Sequence, residues 1–149
     1  MKPMSVNRLL LMAAIHFVLM YILMYAMVDR FNNIFPNLNQ AYMAGIMTAP
    51  MVIMEGILMG AMYDNKRALR IIMGVSVLVL VAFFIFIRQQ TFIGDREFLR
   101  SMIPHHAGAI LMCSEAPIQD SEIEALCETI IASQQSEIDQ MKAILDRLD

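Results

Sequence analysis

Residues 9–28 read LLLMAAIHFVLMYILMYAMV, twenty positions in which His16 is the one strongly polar member. At about 1.5 Å per helical residue such a run crosses a hydrocarbon core of about 30 Å, so it predicts a transmembrane helix. The run is too long for the apolar core of a signal peptide, and the following Asp29-Arg30-Phe31-Asn32-Asn33 offers no small-residue cleavage site, so the helix is expected to be retained. Residues 41–63 predict a second span, interrupted in composition by Pro50 and Glu55, and residues 71–87 a third, rich in Val, Ile and Phe. With 58% hydrophobic and 17% charged residues, the 149-residue chain is too apolar for an ordinary soluble domain of this size. The expected organisation is a three-span membrane region over 1–88 and a small extramembrane domain over 89–149.

Charge divides along the same boundary. Up to Ile87 there are six Lys/Arg against three Asp/Glu, and beyond it five against eleven, so the halves carry +3 and −6. An acidic tail argues against nucleic acid as a partner and leaves the lipid bilayer as the expected environment of the first half. Orientation follows from the cations near the span ends. Lys2 and Arg8 precede the first span and Lys66, Arg67 and Arg70 crowd the second loop, whereas the first loop has only Arg30, beside Asp29. The positive-inside rule puts the N-terminus and second loop in the cytoplasm, and three spans then put the tail outside; Arg88 alone opposes this. In a bacterium that means an inner-membrane protein with a periplasmic or extracellular C-terminal domain.

From Gly94 onward apolar residues recur at intervals of three and four, which predicts two helices separated near Ala116-Pro117-Ile118-Gln119-Asp120. Pro104 either kinks the first helix or sits in its first turn, and either Asp120 or Ser121, the latter in a capping box with Glu124, starts the second. Folding the hairpin about Asp120 pairs Cys113 with Cys127, His106 with Gln134 and Leu99 with Met141, three rungs spaced by seven along one seam. Two helices bury little surface, so association of two or more chains into a bundle is expected.

His105 and His106, with Met102 and Met112 nearby and Cys113, Cys127 and Met141 along the seam, bring together imidazole, thioether and thiol groups. Soft sulfur with imidazole selects copper(I), or the similar silver(I), over magnesium or calcium. Each residue also has a plainer reading, with His106 bonded to Gln134 in a bundle core and His105 at the surface. The cysteines have three: a disulfide locking the hairpin, a metal-thiolate pair, or two small buried hydrophobes.

The stretch DREFLRSMIPHHAGAILM at 95–112, with IIASQQSEIDQM at 130–141, resembles the domain of unknown function 305 family, whose hallmark is an M-I-P-H-H-x-x-A-I-x-M segment. The resemblance covers residues 94–147. It implies a ferritin-like helical fold in secreted or membrane-attached bacterial proteins, some associated with copper binding and copper tolerance. It implies Met102, His105, His106, Met112, Gln134, Glu137 and Met141 as candidate ligands. A complete four-helix bundle needs two hairpins where this chain has one, which again points to a homo-oligomer.

Sixteen methionines are present, and of the fifteen beyond the initiator twelve precede residue 74. His16, Met20 and Met24 repeat every four residues in the first span, as do Met43, Met47 and Met51 in the second, with Glu55 continuing near that face. Two such faces packed together would form a thioether-lined path for copper(I), with His16 and Glu55 as its polar members. Methionine is equally at home in ordinary bilayer packing. Glu55 should face the bundle interior, protonated or paired with a group such as His16, and Gly56-x-x-x-Gly60 could bring helices close.

No Ser/His/Asp set, phosphate-cradling glycine loop or zinc-protease motif is present, and the Glu-x-x-His motif of di-iron bundles is missing. The leading expectation is therefore not an enzyme, although Glu137, His105 and His106 combining across chains would allow a ferritin-like oxidase. It is a membrane-anchored copper(I)/silver(I)-binding protein that sequesters metal or exchanges it with a periplasmic donor or acceptor. The alternatives are a structural or scaffold protein docking a partner through its hairpin, and a three-span copper transporter using the methionine stripes.

Overall fold

The computed structural model describes residues 4–148. Lys2, used in the orientation argument, lies outside them. Among the described residues there are five α-helices: α1 Val6–Leu23, α2 Leu38–Leu58, α3 Lys66–Gln89, α4 Asp95–Glu115 and α5 Ser121–Leu148. Short 3-10 turns occupy Met24–Met27, Phe31–Asn33 and Gly60–Met62. Three helical segments, Val6–Met27, Leu38–Leu58 and Lys66–Gln89, are long and apolar enough to cross a membrane.

Caps move the helix ends away from the boundaries expected from hydropathy. The Ser5 hydroxyl accepts the Asn7 N–H, so α1 starts before Leu9; the Asn65 side chain accepts the Ala68 N–H, so α3 takes in the basic turn that precedes its apolar run. Asp120 caps α5, its carboxylate accepting from the N–H groups of Glu122 and Ile123 at 2.9 and 3.1 Å. α2 ends at Leu58, short of the expected Tyr63, and the chain tightens through the Gly60–Met62 turn.

The chain divides into two compact units. The first runs up to Met24 and resumes over Asn39–Phe92; the second joins Tyr25–Leu38 to the chain from Ile93 onward. Packing thus groups the first loop with the tail, whereas a boundary drawn by composition leaves it with the spans.

In the membrane unit, hydrogen bonds tie both ends. The Met4 N–H donates to the Met62 carbonyl and the Asp64 N–H to the Met4 carbonyl, joining the N-terminus to the second loop. At the opposite end the side-chain amides of Asn39 and Gln90 pair in both directions, and the Tyr42 hydroxyl donates to the Thr91 carbonyl. Leu9, Val52, Tyr63 and Leu69 form a small buried cluster. α2 buries Tyr42, Ala44, Gly45, Thr48, Ala49, Val52 and Gly56. A methyl group added at Gly45 would collide with Phe83, and one at Gly56 with Met73, so both glycines permit the close approach of α3 that small residues allow in bilayer helices.

In the hairpin unit, Leu99, Ile103, Ala107 and Ile110 of α4 pack against Ile138, Met141 and Leu145 of α5. Ile103 and Ile138 are wholly buried. Val28 and Phe35 of the first loop join this core. Pro104 is accommodated inside an unbroken α4. Proline cannot donate to the carbonyl four residues back, which is that of Arg100, and the buried Asn37 side-chain amide donates to that oxygen instead, at 3.4 Å. The same loop is fixed by Lys142, which donates to the Asn33 side-chain oxygen at 2.6 Å, and by Glu97, which accepts the Leu38 N–H at 2.9 Å.

Candidate metal centre

His106 projects from the middle of α4 toward α5 and is 7% exposed. Its Nδ1 donates to the Met102 carbonyl at 3.0 Å, and its Nε2 lies 2.6 Å from Glu137 Oε2. A carbonyl only accepts, so Nδ1 carries a proton; the short Nε2 contact needs a second proton between ring and carboxylate. The Glu137 side chain remains 53% exposed, so solvent reaches the pair from the α5 side.

Seam geometry predicted Gln134 as the partner of His106, and the structure gives Glu137, almost one turn nearer the base of the hairpin. Helical side chains lean toward their own N-terminus. In an antiparallel pair His106 leans toward the base and a side chain of α5 toward the tip, so the longer Glu137, starting one turn lower, reaches back to the imidazole. Gln134 is half-buried.

The other candidates separate. Cys113 and Cys127 form a disulfide with Cα atoms 5.2 Å apart, so of their three readings the structure carries the lock between helices, and in that form neither sulfur is a thiolate for a metal. Met141 belongs to the hairpin core and Met102 packs against it. His105 is exposed, its ring centroid 6.1 Å from that of His106, and Met112 is exposed one turn from the end of α4. Among the described residues no three His, Cys, Asp or Glu side chains converge as a ready metal site. The structure therefore assembles imidazole and carboxylate, with the Met102 backbone fixing the ring.

The membrane candidates do not assemble into a path. Met43 and Met47 are exposed, on the side of α2 away from its buried small residues, while Met51 packs against the Leu9 cluster. Met20 and Met24 are half-buried. Glu55 accepts a hydrogen bond from the Tyr63 hydroxyl at 3.0 Å, a partner other than the expected His16, and His16 Nδ1 has none among the described residues. Burial, reinforced by Glu55, pushes the Tyr63 hydroxyl up to about 12, so it stays a proton donor across the physiological range.

Sequence reasoning missed the loop residues Asn33 and Asn37 and the helix residues Glu97 of α4 and Lys142 of α5 that hold the first loop against the hairpin. A signal existed for one of them: a proline inside a helical pattern leaves a carbonyl to be satisfied, and an asparagine from elsewhere is a natural donor.

Fold and site together define a class, that of helical proteins with three candidate membrane spans and a disulfide-locked helical hairpin. Residues 87–145 match the family described as Domain of unknown function (DUF305). The chain is also similar to the uncharacterized protein L153 of Acanthamoeba polyphaga mimivirus, 34% identical over 146 residues that cover 96% of this chain and 94% of that protein. The chain belongs to this family. No solved structure matches it.

Proposed function

We propose that the protein is a membrane-anchored metal-binding protein that takes up copper(I), or silver(I), on its extramembrane hairpin for sequestration or transfer to a partner. The observation that carries the reading is the fixing of His106. An imidazole whose Nδ1 is held by a backbone carbonyl presents Nε2 as the ligating atom, and an adjacent carboxylate is a common companion at metal sites. His106 Nε2 would hold the metal, giving up the proton it shares with Glu137 to solvent, and the Glu137 carboxylate would offset its charge. The Met102 thioether, one turn before His106 on α4 and packed at the edge of the hairpin core, would turn toward Nε2 to supply the soft donor that favours copper(I), with His105 and Met112 exposed elsewhere on the same helix. With the thiols joined, the donor set is imidazole, carboxylate and thioether.

The proposed orientation places the hairpin outside the cytoplasm. It is supported by the cations of the second loop and by the disulfide, a bond at home in oxidising compartments. The transporter reading has less support, because Met43 and Met47 face outward from the membrane unit.

The test is a titration of the full-length protein with copper(I) in competition with a chromophoric chelator. About one ion per chain is expected, reduced below detection in His106→Ala and unchanged in Met43→Leu/Met47→Leu. Failure of the wild-type protein to compete would refute the proposal.

A further inference from the structure

Between Ser101 and Met141 the sequence holds seven Asp and Glu residues and no Lys or Arg. Within this stretch the first turns of α5 leave large apolar side chains in water: Ile123 is 50% and Leu126 56% exposed. With Ala125, they line a shallow hollow along α5 whose polar wall is Glu122 and Thr129. Glu124 and Glu128 are exposed on the same turns. Cys127, next to Leu126, is held to α4 by the disulfide, so these turns form a fixed platform that pays little ordering entropy on binding.

Charge decides among the occupants. A second copy anchored in the same membrane with the same orientation would bring an equally acidic hairpin end alongside, and like charges in apposition oppose association. Anionic phospholipid headgroups repel a carboxylate rim, and the ammonium of a zwitterionic one comes already paired with its own phosphate. A segment with an apolar stripe flanked by Lys or Arg satisfies both features, filling the hollow as a helix in a groove and pairing with the rim. We propose that this face of α5 docks a basic amphipathic helix of a partner protein. The site shares no residue with the His106–Glu137 pair, so the two proposals stand or fall separately.

The test uses the full chain in phosphatidylcholine nanodiscs and, as probe, a fluorescent amphipathic helical peptide of Leu and Lys, with empty nanodiscs as the baseline. Ile123→Gln/Leu126→Gln and Glu122→Gln/Glu128→Gln each change exposed side chains only and are expected to weaken binding about tenfold, and added salt should weaken the wild type. A photo-crosslinking side chain at position 126 should label the peptide. Equal affinity of the wild type and both variants would overturn the proposal, as would crosslinking at position 126 to a second copy of this chain.

Discussion

Methionine follows different rules in the two units. In the membrane unit two of the three regularly spaced methionines of α2, Met43 and Met47, face outward while Met51 packs inside, because the helix–helix contact is taken by Gly45, Ala49 and Gly56, residues small enough to let α3 approach. In the hairpin the few methionines have no regular stripe, yet Met141 fills the core and the Met102 backbone holds His106, which faces Glu137. Periodicity marks a face of a helix without saying what that face meets. In lipid, where apolar side chains gain nothing from avoiding the solvent, the inner face goes to the smallest residues. In water it goes to the largest apolar ones.

That contrast can be broken at several points. The largest effect is expected at Ile138, wholly buried between α4 and α5: Ile138→Ala should destabilise the hairpin by about 2–5 kcal/mol, read as earlier loss of helical signal in urea. Next comes Cys113→Ser/Cys127→Ser, which removes a cross-link between residues 14 apart and should cost about 3 kcal/mol; reducing agent should lower the stability of the wild type by a similar amount and leave the double variant unchanged. Asn37→Ala leaves the Arg100 carbonyl without its donor and should cost about 1–3 kcal/mol, with faster amide exchange around the first loop. The smallest effect belongs to the membrane row. Met43→Leu/Met47→Leu should shift thermal stability by less than about 0.5 kcal/mol, because these side chains are exposed and leucine conserves their apolar volume.

The spans and the hairpin were legible in the sequence because each rests on a long one-dimensional pattern, an apolar run or an apolar recurrence at three and four. The pairing of Cys113 with Cys127 was legible as one of three readings, since both lie equally far from the turn. The partner of His106 was not, because spacing counts Cα positions while the contact is made by side chains leaning in opposite directions, and Glu137 gains from that lean what Gln134 loses. The role of the first loop was hidden for another reason: Asn33 meets Lys142 and Asn37 meets Arg100 across long stretches of chain, and no local pattern marks such contacts. Glu55 was expected to be protonated or paired with a group such as His16, and Tyr63 pairs with it from the turn eight residues on, closer in sequence than the histidine in another helix.

The claim that the hairpin, through His106, holds the metal is tested most directly by X-ray absorption at the copper edge of the copper(I)-loaded full-length protein. Outer-shell scattering of imidazole is expected in the wild type and in Met43→Leu/Met47→Leu, while His106→Ala should retain no bound copper from which to record a spectrum. A spectrum with sulfur neighbours alone, unchanged by His106→Ala, would contradict it.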